Sequence, residues 1–120
     1  MRATVDDSTV LEFRKDLKKL KKKYKHLEKD LKRALKVLTI EPDNPNRSFR
    51  ISNLGKPTKF PIYKLKKFRS LDFFNKGSRS GFRLIYAHNR NENMIYLIEI
   101  YHKKTQKNEN KNRILNYFTI

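Results

Sequence analysis

Arg83 is the residue whose type and surroundings most clearly suggest chemistry. It lies in the run Gly-Phe-Arg-Leu-Ile-Tyr at positions 81–86, where it is the only charge in a strand-like apolar segment. Burying a guanidinium without a partner is costly, so such a group normally faces a carboxylate or an anionic ligand. Two interpretations follow: Arg83 belongs to a structural ion pair, or it binds an anion on the surface of a sheet.

The ion pair would involve Glu99, the only charged residue in the next apolar run, residues 94–101. Turn-forming residues at 89–93 separate this run from the Arg83 segment and predict a β-hairpin. Depending on where the turn is centred, the residue opposite Arg83 is Ile98 or Glu99. In the second register a cross-strand ion pair forms, worth about 0.2–1 kcal/mol if it is exposed.

A cluster of cations precedes Arg83 and would extend an anion-binding surface. Its members are Lys64, Lys66, Lys67 and Arg69 in a predicted strand over residues 62–70, and Arg79 in the loop predicted at residues 75–81. Asp72 is the only acidic residue between Arg47 and Arg83, which favours contact with phosphate over internal pairing. The alternative is that these charges only protect an edge strand against aggregation.

The overall composition also indicates a polyanionic partner. Lys and Arg total 30 against 12 Asp and Glu, a formal net charge of +18. Such an excess repels itself unless a partner neutralises it, and the candidates are nucleic acid first, an acidic protein second and an anionic membrane surface third. Eight Phe and six Tyr supply apolar bodies for a core, which argues against a disordered basic tail.

Several other classes of protein are disfavoured. The chain has no cysteine, which excludes disulfides and thiolate zinc sites, and its three scattered histidines do not predict a metal site. No run is long and apolar enough for a signal peptide or a membrane span, so we expect a cytoplasmic protein. A length of 120 residues predicts a single domain over residues 1–120.

The pattern of apolar residues predicts an α+β fold. Between Phe13 and Leu38 they recur every three or four positions without Gly or Pro, which is typical of amphipathic helix. One helix of that length would span roughly 39 Å, so we expect a hairpin of two helices that breaks near residues 24–27. An edge strand at residues 10–13, the strand at 62–70, a hairpin of strands at 82–88 and 94–101, and a C-terminal helix complete the prediction. The helical hairpin would pack on a small antiparallel sheet.

The order of these elements and four local segments resemble the RelE/ParE superfamily of toxins from toxin–antitoxin systems. The resemblance covers roughly residues 10–118. The segments are Phe-Arg-Lys-Asp-Leu-Lys-Lys-Leu at 13–20, Tyr-Lys-Leu-Lys at 63–66, Ser-Gly-Phe-Arg-Leu-Ile-Tyr at 80–86 and Ile-Glu-Ile-Tyr-His-Lys at 98–103.

The resemblance implies a RelE-like fold and an endoribonuclease that enters the ribosomal A site and cuts messenger RNA without a metal or cofactor. In that chemistry the ribose 2′-hydroxyl attacks the adjacent phosphate, aided by proton transfer and by cations. The family positions fall on Lys64, Lys66, Arg83, His102 and Lys103, with Arg83 as phosphate clamp and His102 as proton-transfer group. RelE also uses a C-terminal Tyr, and no Tyr occurs here at residues 104–116.

The same resemblance implies a cognate antitoxin whose acidic or amphipathic segment covers the toxin's apolar grooves. Two other functions remain open. One is a ParE-like or non-catalytic relative that binds a protein or nucleic acid without cutting RNA. The other is a small basic RNA-binding protein that owes its affinity to counterion release alone.

Overall fold

Two helices form the predicted N-terminal hairpin. In the computed structural model, which describes residues 2–77 and 79–120 with the side chain of Phe74 excepted, α1 spans Glu12–Lys23 and α2 spans Leu27–Leu38. The break falls where the spacing predicted it, because Tyr24 adopts an extended backbone while its N–H still bonds the carbonyl of Leu20 at 2.8 Å. The Tyr24 ring is buried and packs edge-on against Phe82.

Five strands form one sheet, and their bounds are β1 Thr4–Asp6, β2 Ser48–Ile51, β3 Ile62–Leu65, β4 Phe82–Asn89 and β5 Met94–His102. Their spatial order is β1-β5-β4-β3-β2. Strands β3 to β5 form the predicted antiparallel meander, which β2 extends at one edge, whereas β1 pairs parallel with β5. A 3₁₀ helix at Leu71–Lys76 and the C-terminal helix α3 at Lys111–Phe118 complete the α+β fold.

The predicted edge strand at residues 10–13 is wrong, since these residues enter and begin α1. The edge strand lies earlier, at Thr4–Asp6. It ends there because the Asp6 carboxylate accepts the backbone N–H groups of Ser8 and Thr9, both at 2.8 Å, and so closes a turn before the helix.

The predicted strand at residues 62–70 is too long, and β2 was not predicted at all. Strand β3 ends at Leu65, which pairs with Leu84. One further step in this register would place Lys66 opposite Arg83, and like charges directly opposite each other destabilise a sheet. The 3₁₀ helix also occupies residues 75 and 76 of the predicted 75–81 loop, whose residue 78 lies outside the described residues.

Each side of the sheet carries its own apolar cluster. Helices α1 and α2 cover one side, where alternate strand residues such as Leu84 and Tyr86 pack against Phe13 and Leu31. Helix α3 covers the other side, through contacts of Ile114 and Phe118 with strand residues. Since strand side chains alternate between faces, the sheet sorts the predicted site residues onto two surfaces.

Candidate nucleic-acid interface

Arg83 lies on the α3 side of the sheet without a carboxylate partner. Ile85 and Ala87 belong to the α3-side cluster, and Arg83 shares their face because it precedes Ile85 by two residues in β4. The half-buried guanidinium donates from Nη1 to the carbonyl of Phe82 at 3.2 Å. No ion pair joins it to a carboxylate within the described part of the chain.

The predicted registers of Arg83 with Ile98 or Glu99 are both wrong, because Arg83 pairs with Tyr101. The register shifts within the hairpin: Ile85 pairs with Glu99, but Tyr86 pairs with Leu97. This shift leaves Ile98 as one extra residue on β5, a feature that the positions of turn residues in a sequence do not reveal.

Glu99 has a structural role instead. Its carboxylate accepts the side-chain amide of Gln106 at 2.6 Å and the backbone N–H of Asn110 at 2.8 Å. Asn110 is the N-cap of α3, and its own side chain accepts the N–H of Arg113 at 3.0 Å. Glu99 therefore anchors the connection between β5 and α3, which lies beside the Arg83 side of the sheet.

Lys64 lies on the same face as Arg83 and forms an internal ion pair. Its Nζ lies 2.5 Å from Oε1 of Glu109, and the two side chains are 15% and 9% exposed. Burial by itself would raise the pKa of Glu109, but the contact with Lys64, a backbone hydrogen bond and the charges of Lys64 and Lys111 together hold that pKa below its usual value. Glu109 is thus ionised, and it neutralises Lys64, the cation that the sequence assigned to phosphate binding.

Lys66 and Phe49 extend this face toward the edge of the sheet. Lys66 is exposed, and its Nζ lies 4.6 Å from the centroid of the Phe49 ring. Phe49 is in edge strand β2 and pairs with Lys64, so its side chain lies on the Arg83 side.

Lys67 and Arg69 lie on the opposite side of the sheet, away from Arg83 and Lys66. They line a groove of about 260 Å³ between α2 and the chain that follows β3, together with Arg33 and Arg47. The floor of this α2 groove is formed by the apolar residues Ala34, Val37, Leu38 and Leu65 and by one buried carboxylate, Asp30. The sequence therefore grouped cations that the fold places on two separate surfaces.

Arg79 and Lys103 flank the start of β4. Arg79 is exposed and its backbone pairs with that of Phe68. The Lys103 backbone N–H donates to the carbonyl of Gly81 at 2.9 Å, and its side chain is exposed. The Lys103 backbone therefore lies beside Gly81, two residues before Arg83. Among the described residues, no hydrogen bond or ion pair links Arg79 to Arg83 or Lys66.

His102 is a core residue. Its side chain is buried, with the residue 1% exposed, and its ring stacks on Tyr24 and Phe73. Nε2 lies 2.9 Å from the carbonyl of Ser80, and Nδ1 lies 3.1 Å from the backbone N of Lys104. A carbonyl only accepts and an N–H only donates, so the ring is neutral with its proton on Nε2. This geometry leaves neither nitrogen open to a ligand and favours a structural role.

Acidification should therefore destabilise the fold through His102. Burial, partly offset by the bond to Ser80, and the charges of Lys104, Lys103 and Arg83 lower its pKa below the usual 6.5. As pH falls from 6.5 toward that lowered value, the unfolded chain binds a proton that the folded chain does not, so stability falls. We expect the Tm to be lower at pH 5.5 than at pH 7.5, and His102→Gln to reduce that difference.

Circular dichroism melting curves at the two pH values measure this effect. The matched control is His26→Gln, because His26 is exposed, contacts Asp72 and not the rings around His102, and should leave the His102 contribution unchanged. An identical pH dependence in wild type and His102→Gln would contradict a neutral, buried His102.

Tyr101 adds an unexpected polar group beside Arg83. Its side chain is buried, and no hydrogen-bond partner reaches its hydroxyl among the described residues. Burial and then the charges of Glu109 and Glu99, opposed by Arg83, raise the pKa of Tyr101 to about 12. The hydroxyl is therefore protonated at neutral pH and is a hydrogen-bond donor next to Arg83.

Sequence reasoning missed Phe49 on this surface, and it missed the buried Tyr101 beside Arg83 and the ion-pair partner of Lys64, Glu109. Phe49 lies in a four-residue strand interrupted by Arg50, which is too short and too polar to give a clear period-two pattern. Glu109 lies in a polar stretch where only the fold reveals its partner. The apolar run at 94–101 did contain Tyr101, but nothing in it indicates that the hydroxyl lacks a partner.

Comparison with known proteins adds no assignment. No protein-family model matches the chain, and neither a curated protein nor a solved structure matches it. Over residues 2–77 and 79–120, no three His, Cys, Asp or Glu side chains cluster in a way that could hold a metal ion. None of the helices in these ranges has the length and apolar character needed to cross a membrane.

Proposed function

We propose that this protein is a RelE-like toxin that binds messenger RNA and cleaves it on the ribosome. The RNA would bind the surface formed by Phe49, Lys64, Lys66 and Arg83, hereafter the RNA face. The observation that carries the proposal is the guanidinium of Arg83, half-buried in a sheet and free of any carboxylate among the described residues. A planar guanidinium offers paired N–H donors that fit a phosphate. Lys66 adds an exposed cation on the same face.

Arg83 would hold the phosphate that the adjacent 2′-hydroxyl attacks and would neutralise the extra charge in the transition state. Lys66 and Lys103 would contribute positive potential, while Lys64 would contribute only when it separates from Glu109. The ribosome requires a cytoplasmic location, and the net charge of +18 suits entry into a site built of RNA.

The proposed antitoxin would occupy the α2 groove. A largely apolar floor with a rim of Arg33, Arg47, Lys67 and Arg69 complements an amphipathic segment with acidic side chains. Binding there would leave the RNA face uncovered, so neutralisation would act by blocking approach to the ribosome.

A second function, RNA binding without cleavage, is favoured by the burial of His102. With that histidine enclosed, the RNA face lacks the proton-transfer group that the resemblance implies. The charge and the position of Arg83 support binding equally well under both functions.

Induction in a bacterial host, followed by mapping of mRNA 5′ ends, distinguishes the two. Cleavage predicts growth arrest with new 5′ ends in wild type and neither in Arg83→Ala. The matched control is Arg2→Ala, since Arg2 is exposed and lies beside β1 at the opposite edge of the sheet. Arrest without new 5′ ends supports binding alone, and the absence of both arrest and RNA affinity overturns the proposal.

A further inference from the structure

Phe49 is an aromatic side chain left exposed on a cationic surface. The residue is 52% exposed, although it lies in a strand whose neighbour Ile51 packs into the α3-side cluster. Single exposed apolar residues are common and need no explanation by themselves. A second observation concerns Lys66, whose Nζ lies 4.6 Å from the centroid of the Phe49 ring. A cation therefore already contacts one face of this ring.

The ring forms part of a groove of about 300 Å³ at the edge of the sheet. Lys64, Lys66, Lys111 and Asn53 line the groove with Phe49. Glu109 is the only acidic residue in the lining, and Lys64 neutralises it. The groove therefore combines an aromatic surface, an amide and a net positive charge.

The sheet registers connect this groove to Arg83. Phe49 pairs with Lys64, and Lys64 pairs with Ile85, two residues from Arg83 on the same face. Strands are about 4.8 Å apart and rise about 3.3 Å per residue, so two strands across and two residues along separate Phe49 from Arg83 by about 12 Å. One flexible polyanion could contact both Arg83 and the ring.

We propose that Phe49 is a stacking platform for an unpaired RNA base next to the phosphate held by Arg83. This inference rests on the proposed function, since it requires that RNA occupies this face. Single-stranded RNA presents unstacked bases to aromatic rings while cations follow its backbone. An acidic peptide would satisfy the lysines but would gain little from the ring, so the exposed aromatic favours a nucleic acid.

A single-tryptophan variant tests the contact directly, because the natural chain contains no Trp. The probe is a short oligoadenylate with 2′-O-methyl riboses, which lacks the attacking hydroxyl. Stacking predicts that this probe quenches the emission of Phe49→Trp. The matched control is Leu11→Trp, placed at an exposed apolar residue, whose emission should not change.

Affinity measurements separate base stacking from charge. Phe49→Ala should bind the oligoadenylate about 5- to 100-fold more weakly than wild type. Its affinity for inorganic polyphosphate, which carries charge but no bases, should be unchanged. Phe49→Leu should resemble Phe49→Ala, because it keeps an apolar side chain but loses the aromatic face.

The experiments distinguish failure of the proposed function from failure of base stacking on Phe49. If wild type binds no RNA even at low salt, the proposed function fails and the inference fails with it. If wild type binds RNA, but Phe49→Ala binds equally well and Phe49→Trp stays unquenched, only the stacking platform is overturned. Equal quenching by oligoglutamate of matched charge would also overturn it, in favour of an acidic protein partner.

Discussion

Arg83→Ala is expected to slow the cleavage of messenger RNA on translating ribosomes by about 10²- to 10³-fold. Removing one preorganised donor that faces the developing charge of a transition state has an effect of this size. Arg83 is suited to that role because its guanidinium lies half-buried on β4 without an ion-pair partner in the described chain. Primer extension in a purified translation system measures the single-turnover rate.

Arg83→Lys should recover part of the rate, because a lysine keeps the charge but lacks the paired donors. In binding experiments, Arg83→Ala should lower the salt dependence of RNA affinity by about one charge. An unchanged cleavage rate in Arg83→Ala, with Arg2→Ala as the reference for charge loss, would contradict the phosphate-clamp role.

Glu109→Gln is expected to destabilise the fold and to strengthen RNA binding. Lys64 and Glu109 form a pair that is 15% and 9% exposed, and removing one partner leaves the other charge poorly compensated. Breaking such a pair costs about 3 kcal/mol of unfolding free energy. The released Lys64 becomes available to phosphate, so the salt dependence of RNA affinity should rise by about one charge. Urea unfolding and RNA titrations over a range of salt measure the two effects.

The matched control is Glu28→Gln, which breaks the pair of Glu28 with Lys21. That pair has the same chemistry, but its side chains are 57% and 41% exposed, so its loss should leave the unfolding free energy nearly unchanged. Weaker RNA binding by Glu109→Gln, in folded protein, would show that Glu109 supports the RNA face instead of competing with RNA.

The sequence predicts the helices and the central hairpin because local spacing determines them. The break near Tyr24 follows from the length of the apolar repeat, and α3 follows from the C-terminal apolar patch. The pairing partner of Arg83 depends on the turn, which is centred between Asn91 and Glu92, and on one extra residue, Ile98, which shifts the register by one further position. Such a shift is decided by packing on both faces at once, and no local pattern encodes it.

The candidate site is predicted less well, since proximity in sequence does not determine the face of a sheet. Lys64 and Lys67 are three residues apart, yet β3 ends between them and their side chains line different grooves. His102 has the pKa range of a proton-transfer group, but its exposure is decided by Tyr24, Phe73 and Phe82, which come from distant parts of the chain.

We propose that RNA binds the face that carries Phe49, Lys66 and Arg83. NMR chemical shifts can locate the RNA on the protein surface. Backbone amide shifts of ¹⁵N-labelled protein would be followed during titration with the 2′-O-methyl oligoadenylate. We expect the largest shifts at residues 49, 64–66, 83 and 103. Shifts concentrated in the α2 groove, at Arg33, Arg47, Lys67 and Arg69, with none on the RNA face would contradict it.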